Sequence, residues 1–533
     1  MMVAVFSRGR KSMKQIRAAF AFAGALCIAT PAQAAWIKAE SPHFIVYAND
    51  SARDVTRFAE ILERYHSAMR LLTGREDAAP SPSNRLTIFA VGSIGKIKQL
   101  AGDKSGNIAG FYVPRAGGSR AFVPDISVAR GESDFSLTVL LHEYAHHFLL
   151  SSSSFAMPRW LDEGAAEFYA SAKFEGDGTV GIGRPAYHRA AELAHAKDVR
   201  VEELLDSKLY RQRHGDSFSA FYGRAWALYH YLFFEEARKG QLATYVRAVA
   251  SGKPERDAAT AAFGDFALLE KELDAYLRRA KVASYRFTPE MVPSSPVRIT
   301  VLSAGESAAM PLVIRSQRGV SRETALDLVA QVRDVARRFP DDPGVLTALA
   351  EAEHDAGNDT GAIAAADKAL ALDPGRVNAY VQKGLSLFRL AGAASADRKA
   401  AAFRAAMKPF EALNKVEADH PLPLIFYYRS FVEQGREPTA LARHALERAS
   451  QLAPFDRGLA FQAALMQAGE GKIGLAKENL RVLAANPHGG ALADRARKLS
   501  EEIGKLTEGT QWAGRPGLAE IENASEAPVP RSM

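Results

Sequence analysis

A chain of 533 residues, 47% of them hydrophobic, is long enough for more than one hydrophobic core. Its single cysteine, Cys27, excludes a disulfide framework. The net charge of +7 comes without any basic patch interleaved with aromatics, so nucleic-acid binding is not indicated.

Most of the charge sits at the start. Residues 1–34 carry Arg8, Arg10, Lys11, Lys14 and Arg17 and no acid, then an apolar stretch from Ala18 to Thr30, then Ala32-Gln33-Ala34. This pattern predicts a signal peptide cleaved before Ala35 and an exported protein, periplasmic or extracellular; the alternative is an uncleaved N-terminal anchor. Cleavage leaves a mature chain with about +2 charge and no thiol, which rules out zinc ligation by Cys. No other apolar run reaches membrane-spanning length.

Ser41 to Tyr47 reads as a strand, Ala52 to Leu72 as an amphipathic helix, and Arg85 to Val91 as a second strand. Ala109–Pro114 and Ser119–Pro124 flank Gly117-Gly118 and predict a β-hairpin. His43, in the first strand, reads as structural.

Residues 142–147 are His-Glu-Tyr-Ala-His-His. On a helix His142 and His146 share one face, with the spacing that lets two imidazoles hold one zinc ion. Glu143 then stands beside the open coordination position, as a general base for water. His147 is turned about 100° away and reads as a neighbour. Residues 160–168, Trp-Leu-Asp-Glu-Gly-Ala-Ala-Glu-Phe, supply three more carboxylates. Glu163 is the expected third ligand, and Glu167, four residues on, the acid that orients a ligand imidazole. Asp162 reads as a helix-start or solvent-facing carboxylate.

The pair H-E-Y-A-H and W-L-D-E-G-A-A-E resembles the gluzincin zinc metallopeptidases, in which a Glu on the following helix completes the metal site. Sixteen residues separate His146 from Glu163, which resembles a compact variant of that group. The resemblance extends to Tyr222, which lies 59 residues after Glu163, in the run Phe-Tyr-Gly-Arg-Ala-Trp-Ala-Leu-Tyr, and opens a helix. In aminopeptidase-type gluzincins such a Tyr hydrogen-bonds the oxyanion, although here its context is Y-G-R-A and not Y-x-K-G. A core aromatic is the other reading of Tyr222, and His214 is an alternative oxyanion donor. The implied reaction is metal-assisted peptide hydrolysis, with the hairpin as a candidate edge for substrate strand addition. The segment with which aminopeptidases grip a free N-terminus is missing.

Residues 285–320 are rich in Pro, Ser and Gly, with a short strand possible at Val297–Leu302, and read as a connection. Beyond Arg322 the chain is Ala/Leu-rich. Pro340 and Pro374 are 34 apart, and Pro421, Pro454 and Pro487 are spaced by 33, a period that looks like tetratricopeptide repeats. The 47-residue gap from Pro374 to Pro421 predicts an insertion near Ala391–Lys399.

The expected organisation is a signal peptide (1–34), an α+β zincin-like domain (35–284), a linker (285–321), an all-α tetratricopeptide-type helical repeat domain (322–506) and a disordered tail (507–533). The expected function is an exported zinc metallopeptidase acting on peptide or protein, its repeats recruiting a substrate or a protein partner. The alternatives are a non-catalytic protein-binding scaffold and a zinc hydrolase of cell-envelope amides.

Overall fold

Six strands build the main sheet: β1 (Ile37–Glu40), β2 (Phe44–Ala48), β3 (Leu86–Ala90), β4 (Phe111–Val113), β5 (Arg120–Val123) and, far along the chain, β9 (Arg298–Val301), in the order β4-β5-β3-β2-β1-β9. β6 (Lys173–Phe174), β7 (Val180–Ile182) and β8 (Tyr285–Phe287) form a second, antiparallel sheet. In the main sheet β2, β3 and β5 run parallel, and the outer pairings are antiparallel. Alternation drives the pairing: Phe44, Val46 and Ala48 face the core from β2, in register with Leu86 and Ile88 of β3.

The computed structural model describes residues 35–75, 79–102, 108–127, 135–151, 155–215, 217–486 and 489–514, which fall in one unit beginning at Ala35. The expected signal peptide with Cys27 lies outside the described residues, as do Pro487 and residues 515–533 of the expected tail. Among the described residues no helix is long and apolar enough to cross a membrane.

The helix Ala52–Thr73 starts on Ser51, whose hydroxyl accepts from the Asp54 amide, and stops at Gly74 with φ 63°. Its buried stripe, Val55, Phe58, Ala59, Leu62, Tyr65 and Met69, packs in one core with the sheet and with the helix Phe135–Ser151 that carries the His-Glu motif. Tyr65 donates its hydroxyl to the Leu141 carbonyl at 3.2 Å, fixing the two helices in depth. Behind them, His43 meets Glu63 at 2.8 Å and stacks on His66, whose Nδ1 is 2.8 Å from the Tyr144 hydroxyl. His43 thus tightens the junction of sheet and helices.

The stretch 285–321 departs from the expected connection. It supplies β8 to the second sheet and β9 to the edge of the main sheet, then the helix Ala304–Arg318, which begins the helical array. The array is a run of helix pairs: Pro343–Asp355 with Asp359–Leu372, Val377–Gly392 with Ala396–Val416, Pro421–Val432 with Ala440–Leu452, and Arg457–Gly469 with Ile473–Ala485. The expected insertion near Ala391–Lys399 falls where two long helices meet. The extra residues lengthen both helices of the second pair to 16 and 21 residues. The start of the expected tail is also packed: Trp512 lies on the core of the last helices, and its amide donates to the Ala468 carbonyl.

The array folds back onto the sheet. The Ser83 amide and hydroxyl donate to Glu417 at 2.9 and 2.8 Å, and Asn84 Nδ2 donates to the Leu452 carbonyl. Arg120 of β5 donates to Gln317, which donates in turn to Glu351; Asn378 also donates to Glu351, at 3.0 Å. Burial first, and the neighbouring Asp355 second, push the Glu351 carboxyl up to about 7 from 4.5, against the pull of Arg120. The folded state therefore binds this proton more tightly than the unfolded chain. Its contribution to stability is full below pH 4.5 and is lost as pH rises through 7. Between pH 5 and 8, Glu351→Gln is expected to lose less thermal stability than the wild type; parallel melting profiles would contradict this assignment.

Candidate metal centre

Two helices bring the motif residues together. The His-Glu helix, Phe135–Ser151, is apolar nearly all round and buries Leu137, Leu140, Leu141, Tyr144, Ala145 and Phe148. A helix so enclosed exposes its polar residues only where another element leaves space. That element is the helix Arg159–Ala170, buried along its length from Trp160 to Ala170. Trp160 anchors it: the ring is fully buried, and Nε1 donates to the Tyr245 hydroxyl at 3.0 Å. On its other side this helix meets the helix Phe221–Phe234 at Gly164, where a Cβ would stand 2.5 Å from the Ala225 carbonyl oxygen. Only glycine permits that approach.

His142, His146 and Glu163 converge, all three buried. The two Nε2 atoms are 3.0 Å apart, and Glu163 Oε2 lies 3.5 Å from His142 Nε2 and 3.3 Å from His146 Nε2. Donors on one face of a tetrahedral zinc site, with bonds of about 2.0–2.1 Å, stand about 3.3 Å apart. The triangle fits that face.

The opposite ring nitrogens are also held. His146 Nδ1 is 2.9 Å from Asp162 Oδ1, and His142 Nδ1 is 3.2 Å from Glu167 Oε1. The hydrogen bond to Asp162 favours the His146 tautomer that leaves Nε2 with its lone pair toward the centre, while Glu167 faces His142 Nδ1 at ion-pair distance. Asp162 is therefore not the solvent-facing acid expected: it is 2% exposed and holds the His146 imidazole. Burial lowers the pKa of both rings, but their carboxylates outweigh it and raise both, His146 most strongly.

Glu167 has two further partners that sequence reasoning missed. His188 Nε2 is 2.5 Å from Oε2, and Arg189 donates to Oε1. Burial alone would raise the Glu167 pKa; Arg189, His142 and His188 hold it well below the usual carboxylate range. His188 and Arg189 sit in a short 3₁₀ turn, Tyr187–Arg189, where no periodicity marks them.

Glu143 is partly exposed beside the triangle, in the field shared by Tyr112 and Arg457. His147 turns away: Nδ1 meets the Tyr112 hydroxyl at 2.7 Å, and burial pushes its pKa down to about 4, so the ring is neutral. Tyr222 stands at the start of its helix with the Arg189 guanidinium 4.7 Å from its ring centre. Burial and Glu163 raise the phenol pKa, against Arg159 and Arg189, so it remains a hydrogen-bond donor. His214, the alternative oxyanion donor, is buried. It ends the helix Ser207–His214, stacks on Tyr210 at 4.8 Å and faces Glu203 at 3.3 Å, so its partners differ from those of the triangle.

Two measurements test this construction. Asp162→Asn is expected to weaken zinc binding by about 10–100-fold in chelator competition while leaving the thermal melt in place; unchanged affinity would remove Asp162 from the site. Gly164→Ala is expected to cost about 1–3 kcal/mol of stability through overpacking against Ala225, read by denaturant unfolding, and to lower zinc content with it.

Residues 137–255, which include every residue from His142 to Tyr222 discussed above, match a family described as protein of unknown function (DUF1570). No curated protein matches the chain. Among solved structures it is similar to a thermophilic TPR protein of Thermus thermophilus, at 15% identity over 38% of this chain and 100% of that one, with a TM-score of 0.30. It is also similar to the MamA RS-1 ArsTM double mutant, at 18% identity over 33% of this chain and 94% of that one, with a TM-score of 0.26.

Proposed function

We propose that this chain is a gluzincin-type zinc metallopeptidase, exported, whose helical array takes part in recruiting a peptide or protein. The observation that carries the reading is the triangle of His142 Nε2, His146 Nε2 and Glu163 Oε2, with each imidazole fixed from behind by its own carboxylate. A cluster of this kind, buried to between 0 and 5% exposure, is costly without a cation to offset it.

When bound, a zinc ion at these three donors lowers the pKa of a water molecule and polarises a carbonyl oxygen. The chain's own residues do the rest. Glu143 accepts the proton from water as it attacks the carbonyl carbon, then delivers it to the leaving amine. Tyr222, kept protonated by burial and by Glu163, donates a hydrogen bond to the oxygen on which charge develops. The edge strand β4 offers its open side for an extended substrate to pair with.

Purified wild type is expected to hold about one zinc per chain, and His146→Ala none. Against a broad peptide pool, Glu143→Gln is expected to keep the metal and to lose hydrolysis by about 10²–10⁴-fold. Wild-type protein without zinc would favour a scaffold; zinc with hydrolysis of envelope-derived amides alone would favour the amidase reading.

A further inference from the structure

One cation at the centre comes from the helical array. The turn Ala453–Asp456 reaches from that array to the hairpin and the His-Glu helix. Phe455, buried, sets its ring 4.6 Å from the ring of His147. Asp456 accepts from the Ala116 amide at 2.8 Å and also from the Leu459 amide at 2.9 Å, so one carboxylate holds the hairpin turn and caps the helix Arg457–Gly469. Gly117, with φ 72°, lets the hairpin turn approach closely: a Cβ there would stand 2.8 Å from the His420 ring and 3.2 Å from Leu422. The turn is thus fixed on both sides.

The next residue is Arg457, partly buried. The groups whose charge acts on it are Asp162, Tyr112, Glu143 and Glu163, the acids of the metal centre and the tyrosine of the edge strand. Among the described residues none forms a hydrogen bond or ion pair with its guanidinium. It also stands at a helix N-terminus, the end where a cation is disfavoured. A guanidinium held by its flanking residues, off the favourable end of its helix, in the field of the acids at the centre and without a hydrogen-bond or ion-pair partner among the described residues, is arranged to receive an anion from outside. Planar, bidentate geometry suits it to a carboxylate.

We infer that Arg457 is a substrate-recognition residue, binding a carboxylate of the peptide next to the scissile bond, so that the helical array completes the catalytic cleft. The inference deepens the metallopeptidase reading and rests on it for the peptide nature of the substrate. The carboxylate is either the C-terminus or an acidic side chain.

The test uses the full chain carrying Glu143→Gln, with and without Arg457→Gln or Arg457→Lys. Binding is measured by calorimetry for N-acetyl-trialanine as free acid, the same peptide as C-terminal amide, and an amidated peptide with Asp at its last position. At least one carboxylate-bearing peptide is expected to bind about tenfold or more tightly than the neutral amide. Arg457→Gln is expected to erase that preference, and Arg457→Lys to keep part of it. Whichever carboxylate peptide shows the preference identifies the source. A preference that survives Arg457→Gln overturns the inference, as does equal binding of all three peptides to the parent. Loss of thermal stability in Arg457→Gln with the preference intact also overturns it and makes Arg457 a docking residue. With Glu143 restored, an equal fall in turnover of neutral and acidic peptides on Arg457→Gln, with the Kd read in the Glu143→Gln chain unchanged, assigns it to the oxyanion and overturns it too. Because binding is read apart from turnover, a wild type that hydrolyses nothing sinks the peptidase reading, while a carboxylate preference dependent on Arg457 still supports the recognition role.

Discussion

Everything at the centre depends on how closely the helix Arg159–Ala170 lies between its two neighbours. On one side it delivers Asp162, Glu163 and Glu167 to two imidazoles; on the other it presses Gly164 against the Ala225 carbonyl. Trp160 and Gly164 are therefore as much part of the site as the ligands, since they set the depth at which three acids meet two rings. The acids divide the work by position. Glu163 points at both Nε2 atoms, while Asp162 and Glu167 each take one Nδ1. Three carboxylates around two histidines in a buried interior form a set of acceptors suited to a dication.

Residues whose role follows from a fixed helical period are legible in the sequence. His142 and His146 share a face at a spacing of four, and so do Glu163 and Glu167, and the structure brings the four together. Asp162 is misread from sequence because an acid in the first turn of a helix has an ordinary role, stabilising the positive end, and the pattern does not separate that role from buried contact. The tertiary fold decides, by burying the whole helix face. His188 and Arg189 belong to a turn without a period, and Arg457 arrives from a distant segment, so adjacency on the chain gives no signal for any of them. The hairpin and the first helix are readable from alternation and amphipathicity. β1 is not, since a four-residue strand buried at nearly every position shows no alternation; the short strand expected at Val297–Leu302 is found as β9, but its pairing with β1, about 260 residues away, leaves no sign in the sequence.

The proline spacing of the array is also legible, and so is the place of the extra residues in one unit, but not the form they take. Ala-rich sequence around Ala391–Lys399 has high helix propensity, so added length extends existing helices more readily than it forms a loop. Gly384 fits this packing: a Cβ there would stand 2.5 Å from Phe410, so the small residue admits the ring of the longer partner helix. The same array reaches the hairpin through Asp456 and the His-Glu helix through Phe455, so it packs directly against the elements around the centre.

The strand β9 carries this dependence into the backbone. It covers the outer side of β1, and its residues follow, rather than precede, the helices that bear the histidines and acids of the centre. A protein cut just before β9 would leave β1 as a bare ladder of amides and carbonyls, an invitation to pair with another copy. Evolutionary shuffling of the two halves is accordingly constrained: a replacement for the array has to bring its own closing strand for the sheet it abandons.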